Sequence, residues 1–286
     1  MELARKLDLD GGGFIPSGRD PEFIRRRAKP AFTALRRYFR AEVSGMEHVP
    51  RRGPFIVVGN HNGGPVLPDC FVMMSYWWET LGTELPAYAL VHDSALAVPG
   101  VRTLLTKLGG ISATRENGHR VLDAGAPLLL YPGGDLDCLK SFWTRHTIDF
   151  HGRTGFAALA MEHGVPIVPV VNAGGHEVYV TLFSSPRLAR WTGLSRLTRV
   201  KTLPVNLGLP WGVWASPFVP FLPLPAKFAQ AARILPASAS WSGLSGCWNG
   251  VSGMSKRYTS SDVCVATGGL RNGGNWRGGA ASSLNS

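Results

Sequence analysis

The chain has 286 residues, 44% of them hydrophobic and 17% charged. That is enough to bury the core of one α/β domain with appendages, and it excludes a fully disordered chain, a coiled coil and a collagen-like repeat. Thirty Lys and Arg against nineteen Asp and Glu leave a net charge of +11, which points to anionic partners: phosphates, nucleic acid or a negatively charged membrane surface. The four cysteines, none in CxxC spacing, exclude a disulfide scaffold, suggest no zinc ribbon and make a reducing compartment the default.

Residues 1–20 read as a flexible leader broken by Gly11-Gly12-Gly13. Met1 to Pro16 carries Glu2, Asp8 and Asp10 and no apolar run, which argues against a secretory signal. Residues 21–43 (PEFIRRRAKPAFTALRRYFRAEV) hold seven positive charges against Glu22 and Glu42. Phe23, Ile24, Phe32, Leu35, Tyr38 and Phe39 recur near helical spacing. Pro30 is expected to divide the segment into two short helices. Such a basic amphipathic segment fits two uses: an anchor at a membrane interface, or a surface helix packed on its own domain with solvated arginines.

From Gly53 to Val171 apolar runs alternate with helix-compatible stretches. Strands are expected at 54–59, 87–91, 111–113, 127–131 and 166–171, and helices over 69–81, 101–108, 116–124 and 155–163. The alternation implies crossover units and an α/β fold, with a mostly parallel central sheet flanked by helices. Arg187 to Leu197 reads as one more basic helix. Thr202 to Ala226 has no charged residue and is long enough to span a bilayer. Six prolines, from Pro204 to Pro225, argue instead for short strands and loops, some lying on a membrane surface. Residues 236–286 hold ten Gly and eleven Ser, with Asp262 the sole acid, the composition of an irregular, disordered tail. An altered reading frame is one origin for it, testable on the nucleotide sequence. The main domain is therefore expected over 44–235.

Strand 54–59 runs into Asn60-His61-Asn62-Gly63-Gly64-Pro65-Val66-Leu67-Pro68-Asp69. A histidine just past the C-terminal end of a buried strand stands where α/β sheets gather their sites. A tight Gly/Pro loop can bring Asp69 back onto the imidazole, and a His–carboxylate pair makes a general base. Taken alone, the two residues better fit a structural histidine and a helix N-cap. Three further blocks follow: Gly110-Ile111-Ser112-Ala113-Thr114-Arg115, Tyr131-Pro132-Gly133-Gly134-Asp135, and Gly164 to Val170 around Pro166. No HExxH, GxSxG, Walker loop or GxGxxG occurs, so zinc-hydrolase, serine-hydrolase and nucleotide sites lack a motif. His92-Asp93 and His176-Glu177 are sequence neighbours, which face opposite ways on a strand. His176, after Gly174-Gly175, is placed to line the same mouth. Phe71, Met73, Met74, Trp77 and Trp78 form an apolar face, suited to core packing or to an acyl-chain groove.

The four blocks, in this order and at these separations, resemble the phospholipid/glycerol acyltransferase superfamily (the PlsC-like lysophospholipid acyltransferases) over about residues 40–215. The Pro-Gly-Gly block resembles its monoacylglycerol/diacylglycerol acyltransferase-like branch. The resemblance implies a glycerolipid acyltransferase-like fold. It implies transfer of a fatty acyl group from acyl-CoA or acyl carrier protein to the hydroxyl of a glycerolipid or lysophospholipid. His61 would be the catalytic base and Asp69 its partner. Substrate binding would fall to Arg115, to Gly133, Gly134 and Asp135, to Asp137 where the branch has Glu, and to Pro166. Arg153 is a candidate head-group ligand or a surface salt bridge. Seven residues rather than the family's usual four separate His61 from Asp69, and the extra Gly-Gly-Pro is expected to form a bulge. The implied partners are acyl-CoA as co-substrate, a lipid alcohol and an anionic membrane surface, with no nucleic acid, cofactor or metal. The implied location is the cytoplasmic face of a membrane, as a peripheral or monotopic protein. A catalytically impaired lipid-binding protein of the same fold is the alternative.

Overall fold

The computed structural model describes residues 18–198 and 200–232. Strands covered on both faces need apolar residues on each side, so they read as continuous runs. Three such runs form β2 (Ile56–Gly59), β5 (Leu128–Leu130) and β6 (Ile167–Ala173). With β1 (Glu42–Ser44), β3 (Tyr88–Val91), β4 (Gly110–Ser112) and β10 (Ala229–Ala232) they make a seven-stranded sheet in the order β1-β10-β6-β2-β5-β3-β4. Every neighbouring pair is parallel except β10 against β6. The chain thus adopts the expected α/β fold with a mostly parallel sheet.

The helices that position the site are α1 (Lys29–Tyr38), α2 (Pro68–Thr80), α3 (Pro99–Leu108), α4 (Arg115–Asp123), α5 (Gly134–Cys138) and α6 (Gly155–His163). Ile56, Val58, Leu128 and Ile167 pack with α4 and α6 on one face of the sheet. Val57, Leu129, Val168 and Val170 pack with α2 on the other. Met73, Trp77 and Trp78 are fully buried there, so this apolar face of α2 is core and not a groove. Each such side chain contributes roughly 2–3 kcal/mol from area removed from water.

In the N-terminal segment the expected division fails, and of the two expected uses the structure shows the helix packed on its own domain. Pro30 does not divide it: Pro21–Phe23, a π-helical stretch Ile24–Ala28 and α1 run on without a break. Lys29 N–H reaches back to the Ile24 carbonyl, and this wider turn relieves the clash between the proline ring and the carbonyl four residues before it. Its apolar face is also taken. Ile24, Ala28, Phe32 and Phe39 are buried, and the Phe32 ring lies 4.7 Å from Phe71 and 5.2 Å from Trp78. Arg36 pairs with Glu79 and sits over the Tyr76 ring at 4.3 Å. The segment does not stand apart from the main domain, because Glu42 opens β1 and pairs with Ala229 of β10. Asp20, placed in the leader, is tied down too: its N–H donates to Lys107 O at 3.0 Å and its side chain caps the first helical turn.

After β6 the chain builds a second, antiparallel sheet from β7 (Val180–Ser185), β8 (Leu203–Gly208) and β9 (Gly212–Ala215). The single helix expected over 187–197 is two, Pro186–Trp191 and Leu194–Thr198. Gly193 separates them with φ of 78°, a conformation that glycine adopts without steric cost. Thr202 to Ala226 is strand and loop, and among the described residues no helix is long and apolar enough to cross a membrane. The tail expected over 236–286 and the leader up to residue 17 lie outside the described residues.

Candidate active site

β2 ends at Gly59, and the next residues continue its ladder with side chains. Asn60 Oδ1 accepts the Asn172 N–H at 2.7 Å, and Asn60 Nδ2 donates to Asn172 O at 2.9 Å. Asn172 Nδ2 returns a bond to Asn60 O at 2.7 Å. Asn62 Nδ2 and Gln230 Nε2 also bond to Asn172. This buried network fixes the backbone on either side of His61. The His61 N–H donates to Asp137 Oδ2 at 2.7 Å, and the Tyr131 ring stacks on the imidazole at 4.7 Å between centroids.

Asp69 sits in the first turn of α2 and is fully buried. Its Oδ2 lies 2.6 Å from His61 Nδ1 and accepts the Asn62 N–H at 3.1 Å. The seven-residue spacing is taken up by a 3-10 turn over Gly64–Val66. Gly63 and Gly64 have φ of 91° and 58°, and a Cβ on Gly64 would stand 2.3 Å from the Tyr179 ring. Only glycine fits there. The side chain of His61 keeps 15% of its surface exposed while that of Asp69 has none. The imidazole therefore stands at the rim with its carboxylate behind it, and Nε2 is the ring nitrogen that Asp69 does not hold.

Burial alone would push the His61 imidazole down. The Asp69 carboxylate reverses this and raises it well above the ordinary histidine range. Burial raises the Cys70 and Cys138 thiols, which keeps them protonated and poor nucleophiles. The donor atoms of His61, Asp69 and Cys70 lie within 4.8 Å of one another. Two ligands of a tetrahedral zinc stand roughly 3.3 Å apart, so the 2.6 Å His61–Asp69 contact suits a shared proton better than an ion.

Residues 40–173 match the family model described as Acyltransferase. They form an acyltransferase-family domain. The chain is 32% identical to an uncharacterized protein of Mycobacterium tuberculosis over 236 residues, 81% of this chain and 60% of that protein. It is 30% identical to the DGAT1/2-independent enzyme synthesizing storage lipids of Homo sapiens over 150 residues, 52% of this chain and 44% of that one. It is 25% identical to 2-acylglycerol O-acyltransferase 3 of Homo sapiens over 185 residues, 62% and 53% of the two chains. The chain thus spans 60% of the Mycobacterium tuberculosis protein and about half of each human relative. No solved structure matches it.

The remaining candidate residues of the acyltransferase domain divide into three groups. Gly133, Gly134, Asp135, Asp137 and Arg153 gather beside His61. A Cβ on Gly133 would stand 2.4 Å from the Asp137 side chain, so this glycine admits the buried carboxylate. Asp137 also pairs with Lys140 at 2.7 Å; it is 1% exposed, and it holds the His61 backbone rather than facing a groove. Arg153 Nη1 donates to the carbonyls of Pro132 and Gly133 at 2.8 and 3.0 Å, which braces the glycine turn. Gly134 N–H closes that turn onto Tyr131 O at 3.0 Å. Asp135 accepts the Lys201 N–H.

Arg115 is elsewhere. It follows β4, three strands from β2 and thus about 14 Å across the sheet, and its guanidinium pairs with Glu162 of α6. Pro166 precedes β6, the strand beside β2, and so lies at the opposite end of the strands. Ile56 pairs with Ile167 and Gly59 with Val170, so Pro166 sits about 13 Å along the strands from the His61 end. The same strand brings Asn172 to the site instead, and the short helical turn after it, Gly175–Val178, brings His176. His176 is buried, and among the described residues neither ring nitrogen has a hydrogen-bond partner. Burial, reinforced by the charges of Lys140, His61 and Arg145, pushes it well below the ordinary range, so it is a neutral imidazole. It lines a polar cleft with Asn60, Asn62, Arg145 and Glu177. Residue patterns had singled out His176 but not Asn60, Asn172 or Tyr131; the Asn-His-Asn and Val-Val-Asn endings of two buried strands were the available signal.

Proposed function

We propose that the protein is an O-acyltransferase that moves a fatty acyl group from acyl-CoA or acyl carrier protein to the hydroxyl of a glycerolipid or lysophospholipid. The observation that carries this reading is the 2.6 Å His61–Asp69 contact at the open end of β2, within an acyltransferase-family domain. Neutral His61 takes the proton from the acceptor hydroxyl as its oxygen attacks the thioester carbonyl. The C–S bond then breaks, and the departing thiolate recovers that proton. Asp69 orients the ring and stabilises the imidazolium that forms. No acyl-enzyme is needed, since the hydroxyl attacks the thioester directly; among the described residues the Cys70 and Cys138 thiols are held protonated. The names of the human relatives support a lipid alcohol as acceptor. The +11 charge supports work at an anionic membrane surface, on the cytoplasmic side, as a peripheral protein.

The test is turnover of labelled acyl-CoA with lipid vesicles and a panel of lipid alcohols. His61→Ala is expected to lower the rate about 10²–10⁴-fold; equal turnover in wild type and variant rejects the assignment. Because the base must be neutral, kcat/KM should rise with pH, through a limb above the ordinary histidine value. Asp69→Asn removes the raising charge and leaves burial, so the limb should move to lower pH while the rate falls. A limb that stays in place would show that the two residues are not coupled.

A further inference from the structure

The second sheet carries apolar side chains on both faces: Trp214, opposite Asn206, packs inward with Tyr179, Val200 and Phe221, yet the outer face is apolar as well. An antiparallel sheet with one solvated face normally turns its polar residues outward. Here Thr181 and Asn206 face inward and are buried. They bond to each other at 3.2 Å, and Asn206 Nδ2 donates to Ser216 O at 3.1 Å. Val205 and Leu207 of β8, paired with Ala215 and Val213 of β9, lie on the other face. An irregularity between Thr181 and Phe183 puts Phe183 opposite Val205, and so on that face too. Without it Phe183 would share the side of Thr181. Past the strand ends Leu209, Trp211 and Leu222 continue the surface. Leu209, Trp211, Val213 and Leu222 are 57–61% exposed. Contiguous exposed apolar surface of this kind marks an interaction site.

We infer that this face, residues 180–222, docks on an anionic lipid bilayer. The charge around it identifies the occupant. No Asp or Glu occurs from Val178 to Ala232, whereas Arg187, Arg190, Arg196 and Lys201 are exposed beside the sheet. Trp191 and Leu197, on the same two short helices as these arginines, are each 85% exposed. Apolar and aromatic side chains next to unopposed basic ones suit the boundary between acyl chains and anionic head groups. The sheet is also fastened to the loops of the active site. Tyr179 packs against Phe221 at 4.7 Å and fills the space left by Gly64. Lys201 N–H donates to Asp135 of the glycine turn, and Ser141 Oγ donates to Leu182 O at 2.9 Å. Docking here sets the lipid against the sheet to which the catalytic loops are fastened. This surface goes beyond the acyl-transfer reading and does not depend on turnover.

The test is flotation of the full chain with vesicles of phosphatidylcholine, with and without phosphatidylglycerol. The combined variant Leu209→Ser, Val213→Ser, Leu222→Ser is expected to lose at least about ten-fold in vesicle binding, with a melting temperature that changes little because these side chains are mostly solvated. Arg187→Gln with Arg190→Gln should lower binding to the phosphatidylglycerol vesicles alone, about five-fold per arginine. Unchanged flotation of both variants overturns the proposal. So does a wild-type dimer that the serine variant turns into monomer without loss of flotation, which would assign the face to a second copy. A fall in melting temperature instead would show that the face is covered by the chain itself. Wild-type protein that floats but acylates no acceptor would sink the acyl-transfer reading and leave this one standing.

Discussion

The N-terminal segment and the β7–β9 sheet share a composition of apolar and basic residues, yet the fold treats them in opposite ways. In residues 21–38 the apolar stripe is buried against α2, and the arginines reach acids: Arg25 and Arg26 pair with Glu22, and Arg36 with Glu79. In residues 180–222 one apolar face, with Phe183, Leu207, Leu209 and Val213, stays outside, the polar pair Thr181–Asn206 goes inside, and no acid is present to neutralise the arginines. Amphipathic pattern alone therefore does not identify a membrane-facing element. What matters is whether a partner within the chain already covers the apolar face.

Substitutions in the two regions should separate these roles. The largest effect is expected from Phe32→Ala, which empties a site between Phe71 and Trp78. A loss of about 3–5 kcal/mol is expected in denaturant unfolding, without loss of vesicle binding by the protein that remains folded. A specific loss of binding at full stability would make this helix the anchor after all. Next comes Asn206→Ala, which leaves the buried Thr181 hydroxyl without its partner and Ser216 O with the Trp214 indole N–H alone; a loss of about 1–3 kcal/mol is expected. No change in stability would mean that this sheet is not held by its buried polar pair. The smallest effect is expected from Arg25→Gln, Arg26→Gln and Arg27→Gln together, within about 1 kcal/mol in stability. Vesicle binding should change less than with the arginines beside β7.

Most of the main sheet was legible because buried parallel strands are continuous apolar runs. β10 was not: Ala229-Gln230-Ala231-Ala232 carries little hydrophobic signal, and its place is set by pairing with β1 and β6. His61 and Asp69 were legible as a pair of types joined by a flexible loop. The inward role of Asp137 was not, because nothing local says that its carboxylate holds the His61 backbone. Arg115 and Pro166 belong to sequence blocks that follow or precede strands, but strand order and strand direction place them far from the imidazole.

From the residues alone came the fold class, the strand that delivers His61, and the glycines that let Asp69 return to it. These depend on local periodicity and on backbone freedom, which the chain carries at every position. Tertiary structure decided which apolar faces are covered, which carboxylates are buried, and which blocks converge. Those outcomes depend on strand order and on contacts between residues more than a hundred positions apart, as between Asn60 and Asn172, and no local pattern encodes them.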